Sequence, residues 1–301
     1  MNPDSRISKR IAKGEFIITA EYLPSAKVES SLPDAITKAL GGKVSAVNVA
    51  DNPFGVALSS LAGSIALRQA GIEPIYQLVT RDRNRIALQS DLLGAASLGI
   101  QNVLCLSGYH QILTGSPESA NVYDLDSIQL LAAITRMRDQ GVLLDGTKIE
   151  GPFAMLAGAV ANPFLRPMEL NILRVTKKVQ AGAGFIQTHP VFDVPAFGEW
   201  LTTVRAQGLT GKTVILAGVL PLRDAAEAET LRDRYTDFQI PDGIIKRLKT
   251  AGGPDAQRKE GLALCAEIIR EIKTMDGLRG IHIQSGGNEA VVPQLLAASG
   301  L

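Results

Sequence analysis

One carboxylate, Glu21, interrupts an otherwise apolar run, FIITAEYLP at residues 16–24. A carboxylate rarely enters such a run without a partner or a task, because removing its charge from water is costly. One interpretation is a glutamate at a rim that pairs with a lysine or an arginine. The other is a general acid, whose pKa is raised by apolar surroundings so that it holds a proton near neutral pH. Such an acid serves a substrate with a basic nitrogen or an oxygen leaving group.

Polar side chains also stand where other apolar runs end. The segment LSGYHQ at 106–111 ends in small residues, whose backbone N–H groups can approach a flat ring or a phosphate closely. In GAVANPF at 158–164, Asn162 precedes a proline and is free to pair with a ligand, although a plain turn explains it equally well. Lys177 and Lys178 follow; both could be surface lysines, or one could reach a ligand phosphate. The complete set at the ends of the runs is Glu21, Asn48, Asp51, Gln77, Thr80, Ser107, Tyr109, His110, Asn162, Gln187, His189 and Arg223.

Two common kinds of catalytic centre are not indicated by the sequence. The spacing of His110, His189 and His282 matches no helical metal-ligand pattern. The chain has no G-x-S-x-G motif and no cysteine beside a histidine, so acyl transfer lacks a nucleophile. The remaining option is chemistry borrowed from an organic cofactor.

The elements that must position these side chains are eight short apolar runs with helical segments between them. This alternation indicates parallel βα units, and eight units predict an α/β protein with one (β/α)₈ TIM barrel domain over residues 1–301. A doubly wound sheet is disfavoured, because no G-x-G-x-x-G follows the first run. An extra helical insertion is predicted before the last strand, in IPDGIIKRLKTAGG and DAQRKEGLALCAEIIREIKTM. The runs lie at 16–24, 44–51, 74–80, 102–108, 153–160, 185–191, 213–222 and 281–286.

Charge and cysteine content limit the partners and the compartment. The chain has 31 lysine and arginine residues against 30 acidic residues, so we expect neither nucleic acid nor a membrane surface as a partner. Cys105 and Cys265 lie in apolar segments far apart, which is typical of buried thiols in a reducing cytosol. No apolar run approaches the roughly 18 to 20 residues of a membrane span, and the first residues lack an apolar signal core. A cytoplasmic enzyme is expected.

Eight segments, in chain order, resemble those of the methylenetetrahydrofolate reductase family of one-carbon metabolism. FIITAEYLP resembles the family's opening F-E-F-F-P strand, and NVLCLSGYHQ resembles its R/T-G-D end of strand four. The other segments are VNVADNPFG, VYDLDSIQLL, GAVANPF, KKVQAGAGFIQTHPVFD, ILAGVLPL and GIHIQSGG. Eight collinear matches are far more specific than any one of them. The pattern is most similar to the short, barrel-only bacterial members.

The resemblance implies a flavoprotein oxidoreductase. Bound FAD would exchange electrons with NADH or NADPH and reduce 5,10-methylenetetrahydrofolate to 5-methyltetrahydrofolate by hydride transfer. Glu21 falls on the family's catalytic glutamate, which protonates the bridging nitrogen of the substrate. The positions implied to bind substrate are Tyr109, Gln187 and His189. Those implied to bind FAD are Asn48, Gln77, Ser107, Gly108, Tyr109, His110, Tyr123, Asp126, Asn162, Asn171 and Lys178, with Lys178 towards the phosphates and the helix starting near 124–127 presenting its N-terminus.

Three positions depart from the family pattern. Tyr109 replaces an aspartate, His189 replaces a glutamine, and Ala50 replaces a threonine. A neutral Tyr109 should raise the flavin potential, which favours oxidation of methyltetrahydrofolate. The departures leave two alternatives open: a related flavoprotein that acts on another one-carbon carrier, and a non-catalytic barrel subunit. A homo-oligomer and an electron-transfer partner subunit are both compatible with the sequence.

Overall fold

Parallel strands form a closed barrel in the computed structural model, which describes residues 4–28, 32, 34–235 and 238–301. Eight strands pair in chain order in the described residues, and the last strand pairs with the first. The predicted (β/α)₈ TIM barrel is confirmed. The strands are β1 (Ile17–Tyr22), β2 (Ala46–Val49), β3 (Pro74–Val79), β4 (Asn102–Leu106), β5 (Leu156–Ala161), β6 (Phe185–Pro190), β7 (Val214–Val219) and β8 (Leu278–Ile283).

Helices surround the barrel, and the predicted insertion before the last strand is confirmed. Between β7 and β8 the chain forms three helices, of which the second and third match the two predicted segments. No helix in the described ranges is long and apolar enough to cross a membrane. The helices are α1 (Arg6–Ala12), α2 (Asp34–Leu40), α3 (Ser60–Gln69), α4 (Arg85–Ser97), α5 (Ser127–Gln140), α6 (Met168–Gln180), α7 (Val194–Ala206), α8 (Ala225–Arg234), α9 (Asp242–Thr250), α10 (Pro254–Ile272) and α11 (Val291–Ser299).

The last strand begins at Leu278, earlier than the predicted run at 281–286. Arg279 and Gly280 interrupt the apolar pattern there, so the sequence hides the start of the strand. Gly280 is required by close packing, since a Cβ at this position would lie 2.0 Å from the Ile17 carbonyl oxygen of β1. The closure of the barrel between β8 and β1 therefore depends on a residue without a side chain.

The barrel interior changes from apolar to polar along the strand direction. Alternate residues of each strand point inward, as in other closed barrels. Near the N-terminal ends the inward side chains form an apolar cluster with Ile7 of α1, which closes that end of the barrel. Further along, polar side chains take over, beginning with Thr19 and Asn48. The apolar cluster contains Ile7, Ile17, Ala46, Ile75, Leu104, Leu156, Phe185, Val214 and Leu216.

Helix α1 is fixed to the barrel by Glu73, which directly precedes β3. Its carboxylate accepts hydrogen bonds from the first two helical N–H groups, of Arg6 (2.5 Å) and Ile7 (2.9 Å). It also accepts one from the Asn102 side-chain nitrogen at 3.1 Å. Glu73 thus supplies the acceptor that a helix N-terminus needs.

Replacing Glu73 with alanine should destabilise the protein. The change leaves the N–H groups of Arg6 and Ile7 without their acceptor, so we expect a loss of about 1–3 kcal/mol in the free energy of unfolding. Urea denaturation of Glu73→Ala measures it. Glu271→Ala, at an exposed position of α10, is the control and should change little. Equal stability of the two variants would contradict the anchoring role.

Candidate active site

A cavity of about 980 Å³ opens at the carboxyl ends of the strands, where barrel enzymes place their chemistry. Strand ends form its floor, and residues of α6 and α8 contribute to its walls. Many of the positions singled out from the sequence line this cavity: Glu21, Gln77, Ser107, Gly108, Tyr109, Asn162, Asn171, Lys178, Gln187 and His189. Four others, Asn48, His110, Tyr123 and Asp126, lie near it without contributing to its lining in the described residues.

Glu21 projects from the end of β1 into the cavity. No described residue donates a hydrogen bond to its carboxylate or pairs with it as a cation. Burial among protein atoms and, to a lesser extent, the negative charge of Glu289 raise the pKa of Glu21 from its usual 4.5 to about 7. Glu21 is therefore able to hold a proton near neutral pH and to release it.

This raised pKa makes the stability of the fold depend on pH. The folded protein binds the Glu21 proton more tightly than the unfolded chain, so stability falls as the pH rises from about 4.5 to about 7. Glu21→Gln removes that loss. We expect the variant to be more stable than the parent at about pH 8 by up to about 3 kcal/mol, and about equally stable at pH 4. Urea denaturation at both pH values measures the difference; the same difference at both would contradict the pKa.

Beneath Glu21, buried polar side chains from four strands are joined by hydrogen bonds. The amides of Asn48 (β2) and Gln187 (β6) exchange two hydrogen bonds, at 2.8 and 3.0 Å. Gln187 also donates to the Thr19 hydroxyl at 3.1 Å, and this hydroxyl lies 3.0 Å from Nδ1 of His282. Burial lowers the pKa of His282 to about 3, so the imidazole is neutral. The network fixes the floor of the site, and it commits the Asn48 side chain to a protein partner.

Two cations of α6, Arg174 and Lys178, face the cavity one helical turn apart. Lys178 Nζ donates to the Val160 carbonyl oxygen of β5 at 2.5 Å, whereas Lys177 is exposed. Burial lowers the pKa of Lys178 to about 8, and the neighbouring Arg174 lowers it too. A bound anion would counteract both effects, because its negative charge favours the protonated lysine. Arg174 was not identified from the sequence, although its i, i+4 spacing from Lys178 is a usable signal.

The side of the cavity formed by β3, β4 and β5 fits a flat heterocycle. Gly108 has φ +83°, and a Cβ there would lie 2.6 Å from Cγ1 of Val79, so the backbone comes unusually close to the neighbouring strand. Val79 and Val160 supply apolar surface. The Gln77 side chain is 7% exposed, lines the cavity and has no hydrogen-bond partner among the described residues. Apolar surface, a free amide and the cations Arg174 and Lys178 together suit a planar ring with an anionic tail.

The positions outside the lining stabilise local loops. His110 accepts a hydrogen bond from Ile112 N–H at 3.3 Å and lies 3.0 Å from the Asn121 amide. Asp126 caps the N-terminus of α5 with a capping box. The Tyr123 hydroxyl donates to the Gly108 carbonyl oxygen at 3.4 Å. These contacts shape the loop after β4 without reaching the cavity themselves.

Asn171 lines the cavity and also holds the loop that follows β5. Its side-chain nitrogen donates to the carbonyl oxygens of Asn162 (2.8 Å) and Leu165 (3.1 Å), and its oxygen accepts from Trp200 (3.3 Å). Within the loop, the Asn162 oxygen accepts from Phe164 N–H at 3.0 Å. The side chains of Asn162 and Asn171 thus keep this edge of the site in shape.

Sequence reasoning missed an aromatic wall of the cavity, of which only Tyr109 was singled out. The ring of Tyr235 lies 5.2 Å from Tyr109, 6.3 Å from Phe54 and 6.1 Å from Phe238, measured between centroids. These rings come from loops after β2 and β4 and from the segment after α8, so no local pattern links them.

Arg81 was also missed. It is buried, pairs with Asp82, and donates to the carbonyl oxygens of Tyr109 (3.1 Å) and Asn52 (2.9 Å). It therefore joins the loops after β2 and β4. The signal in the sequence is weak, because Arg81 belongs to a charged segment, TRDRNR, that reads as a solvated loop.

Neither a cluster of metal ligands nor a reactive thiol lies among the described residues. The described ranges contain no group of three or more histidine, cysteine or acidic residues arranged to hold a metal ion. Cys105 and Cys265 are free and buried, as predicted, and burial raises the pKa of both thiols well above the usual range. Neither thiol is therefore prepared to act as a nucleophile.

Comparison with known proteins gives a consistent assignment. A probable methylenetetrahydrofolate reductase (NADPH) of Caenorhabditis elegans is 21% identical over 247 residues, which cover 81% of this chain and 34% of the relative. Methylenetetrahydrofolate reductase 1 of Schizosaccharomyces pombe is 27% identical over 132 residues, covering 44% of this chain and 21% of the relative. The chain thus matches about a third or less of the length of these relatives.

A solved structure shares the fold. An uncharacterised protein from Clostridium thermocellum, described as binding two copies of 5-methyl-5,6,7,8-tetrahydrofolic acid, superposes with a TM-score of 0.67 at 15% identity, covering 98% of both chains. The model of the methylenetetrahydrofolate reductase family matches residues 6–300, nearly the whole sequence. By this match, the chain belongs to the methylenetetrahydrofolate reductase family.

Proposed function

We propose that the protein is an FAD-dependent oxidoreductase that interconverts 5,10-methylenetetrahydrofolate and 5-methyltetrahydrofolate. The feature that carries the proposal is Glu21, a carboxyl group that lines the cavity of a chain from this family and whose pKa is raised to about 7, chiefly by burial. Folate binding by the Clostridium thermocellum protein of the same fold supports the substrate class. Electrons would be exchanged with NADH, NADPH or an electron-transfer partner subunit.

FAD would lie along the side of the cavity formed by β3, β4 and β5. When bound, FAD accepts or donates the hydride. Gln77 would pair with the edge of the ring, Gly108 would let the ring approach the backbone, and Arg174 with Lys178 would neutralise the phosphates. Ser107, Tyr109 and Asn162 line the same region.

Glu21 would act on the folate. In the reducing direction it donates its proton to the bridging nitrogen; the carbon–nitrogen bond breaks, its electron pair stays on nitrogen, and the methylene carbon becomes an electrophilic iminium. In the oxidising direction Glu21 takes the proton back as the ring closes. A pKa near 7 suits both roles, because the carboxyl group can donate its proton to the bridging nitrogen and can also take up a proton again near neutral pH.

The direction of the reaction is proposed to favour methyl oxidation. Tyr109 lines the cavity where relatives carry an aspartate, so a negative charge that would oppose extra electrons on the flavin ring is removed. His189 also lines the cavity, at the position of a glutamine in the family pattern. An imidazole would therefore replace the side-chain amide that contacts the pterin.

Reconstitution with FAD tests the proposal. We expect a yellow holoprotein whose flavin spectrum shifts when micromolar tetrahydrofolate compounds are added. A yellow protein that does not respond to folates would instead support action on another one-carbon carrier. A protein that takes up no FAD would support the non-catalytic barrel and contradict the proposal.

A further inference from the structure

A second carboxylate, Glu289, is built into the same end of the barrel as Glu21. It belongs to the loop after β8, and β8 pairs directly with β1, with Thr19 opposite His282. The Glu289 side chain is 7% exposed. Its Oε1 accepts hydrogen bonds from Leu23 N–H at 3.1 Å and from the Ser285 hydroxyl at 3.4 Å. The carboxylate is thus held against the chain two residues beyond Glu21.

Buried carboxylates normally pair with a cation, because an unpaired charge in a protein interior is destabilising. Among the described residues, neither Glu289 nor Glu21 forms an ion pair. Nearby carboxylates oppose each other's ionisation, and the negative charge of Glu289 accordingly contributes to the raised pKa of Glu21. The hydrogen bonds from Leu23 N–H and the Ser285 hydroxyl hold the Glu289 carboxylate at the end of β1.

We propose that Glu289 is a positioning residue: its hydrogen bond from Leu23 N–H fixes the end of β1 that carries Glu21, and it places a negative charge near the Glu21 carboxyl group. The inference rests on the proposed function only in that Glu21 is the acid of the reaction. Glu289 itself is not proposed to contact the folate or the flavin; it acts through Glu21.

Other charged groups near Glu21 are already neutralised or engaged. The strands that pair with β1 are β2 and β8. Asp51, which follows β2, accepts a hydrogen bond from the Arg83 guanidinium at 2.7 Å, and His282 of β8 is neutral. Helix α1 packs at the opposite end of the barrel.

Across the cavity stand the titratable side chains of Tyr109 and His189, and Arg223 forms a 2.7 Å ion pair with Glu227. After burial, the negative charge of Glu289 is the second cause of the raised pKa of Glu21.

Glu289→Gln separates the charge from the hydrogen bonds, because the amide oxygen can still accept from Leu23 N–H. Difference infrared spectroscopy of the protein, with Glu21→Gln as the reference, reports the protonation of Glu21 directly and needs no bound cofactor. We expect the midpoint of this titration to fall by about one pH unit in Glu289→Gln, a tenfold lower proton affinity. The pH profile of turnover should move by the same amount.

Glu229→Gln is the matched control, since it removes a charge of α8 that pairs with Lys249 on the surface. It should leave the midpoint unchanged. A midpoint that is equally unmoved in Glu289→Gln would overturn the proposal.

Glu289→Asp keeps the test decisive if the glutamine variant does not fold. This variant retains the charge and should retain the high midpoint, and a midpoint that falls would show a purely structural role and overturn the inference. The infrared titration needs no folate. A protein without folate turnover therefore refutes the proposed function and leaves this test valid.

Discussion

Glu21→Gln should reduce the turnover of 5,10-methylenetetrahydrofolate by about 10²–10⁴-fold, the usual contribution of a positioned general acid. Glutamine has nearly the same shape but carries no transferable proton, so the bridging nitrogen stays unprotonated and the ring stays closed. The flavin absorption spectrum and the affinity for FAD should not change, because the proposed flavin contacts come from β3, β4, β5 and α6. Steady-state kinetics with a flavin-saturated protein measure the effect.

The matched control for this variant is again Glu229→Gln, on the surface of α8. It should retain the turnover of the parent. Turnover of Glu21→Gln within a few-fold of the parent would remove Glu21 from the chemistry and favour its interpretation as a rim glutamate.

Lys178→Met should weaken FAD binding by about 30-fold to 1000-fold, or roughly 2–4 kcal/mol. Methionine fills the space of the lysine stem but leaves the flavin phosphates without their partly buried cation. Fluorescence titration of the flavin-free protein with FAD measures the affinity. The neighbouring Lys177 is exposed, so Lys177→Met changes the net charge equally and should bind FAD like the parent. Equal losses in both variants would show only a general electrostatic effect.

The barrel could be predicted because its signals are local. Each strand is a short apolar run, and each helix between strands carries its own periodicity and glycine stops. The start of β8 was missed because Gly280 is selected by contact with Ile17, a residue from the other end of the chain.

The candidate site could be predicted only in part, for the same reason. Glu21 is conspicuous in an apolar strand, and Lys178 lies in a segment that resembles the family. The Asn48–Gln187 pair instead joins residues 139 positions apart, and the contact between Leu23 and Glu289 joins residues 266 positions apart. Such contacts exist only once the barrel is closed, and no local pattern encodes them.

The aromatic wall shows a further limit. Tyr109 was noted as a departure from the family's aspartate, but its ring contact with Tyr235 could not be foreseen, because Tyr235 follows helix α8, far along the chain. Helix α8, which precedes the two predicted segments of the insertion, contributes part of the cavity wall.

The central claim, that this barrel transfers hydride between FAD and a folate carbon, is tested most directly by mixing the FAD-loaded protein with 5-methyltetrahydrofolate without oxygen. The claim predicts bleaching of the flavin absorbance with formation of 5,10-methylenetetrahydrofolate, and return of the absorbance when excess 5,10-methylenetetrahydrofolate is added to reduced flavin. A flavin that binds both folates yet is neither reduced by the first nor reoxidised by the second would contradict the claim.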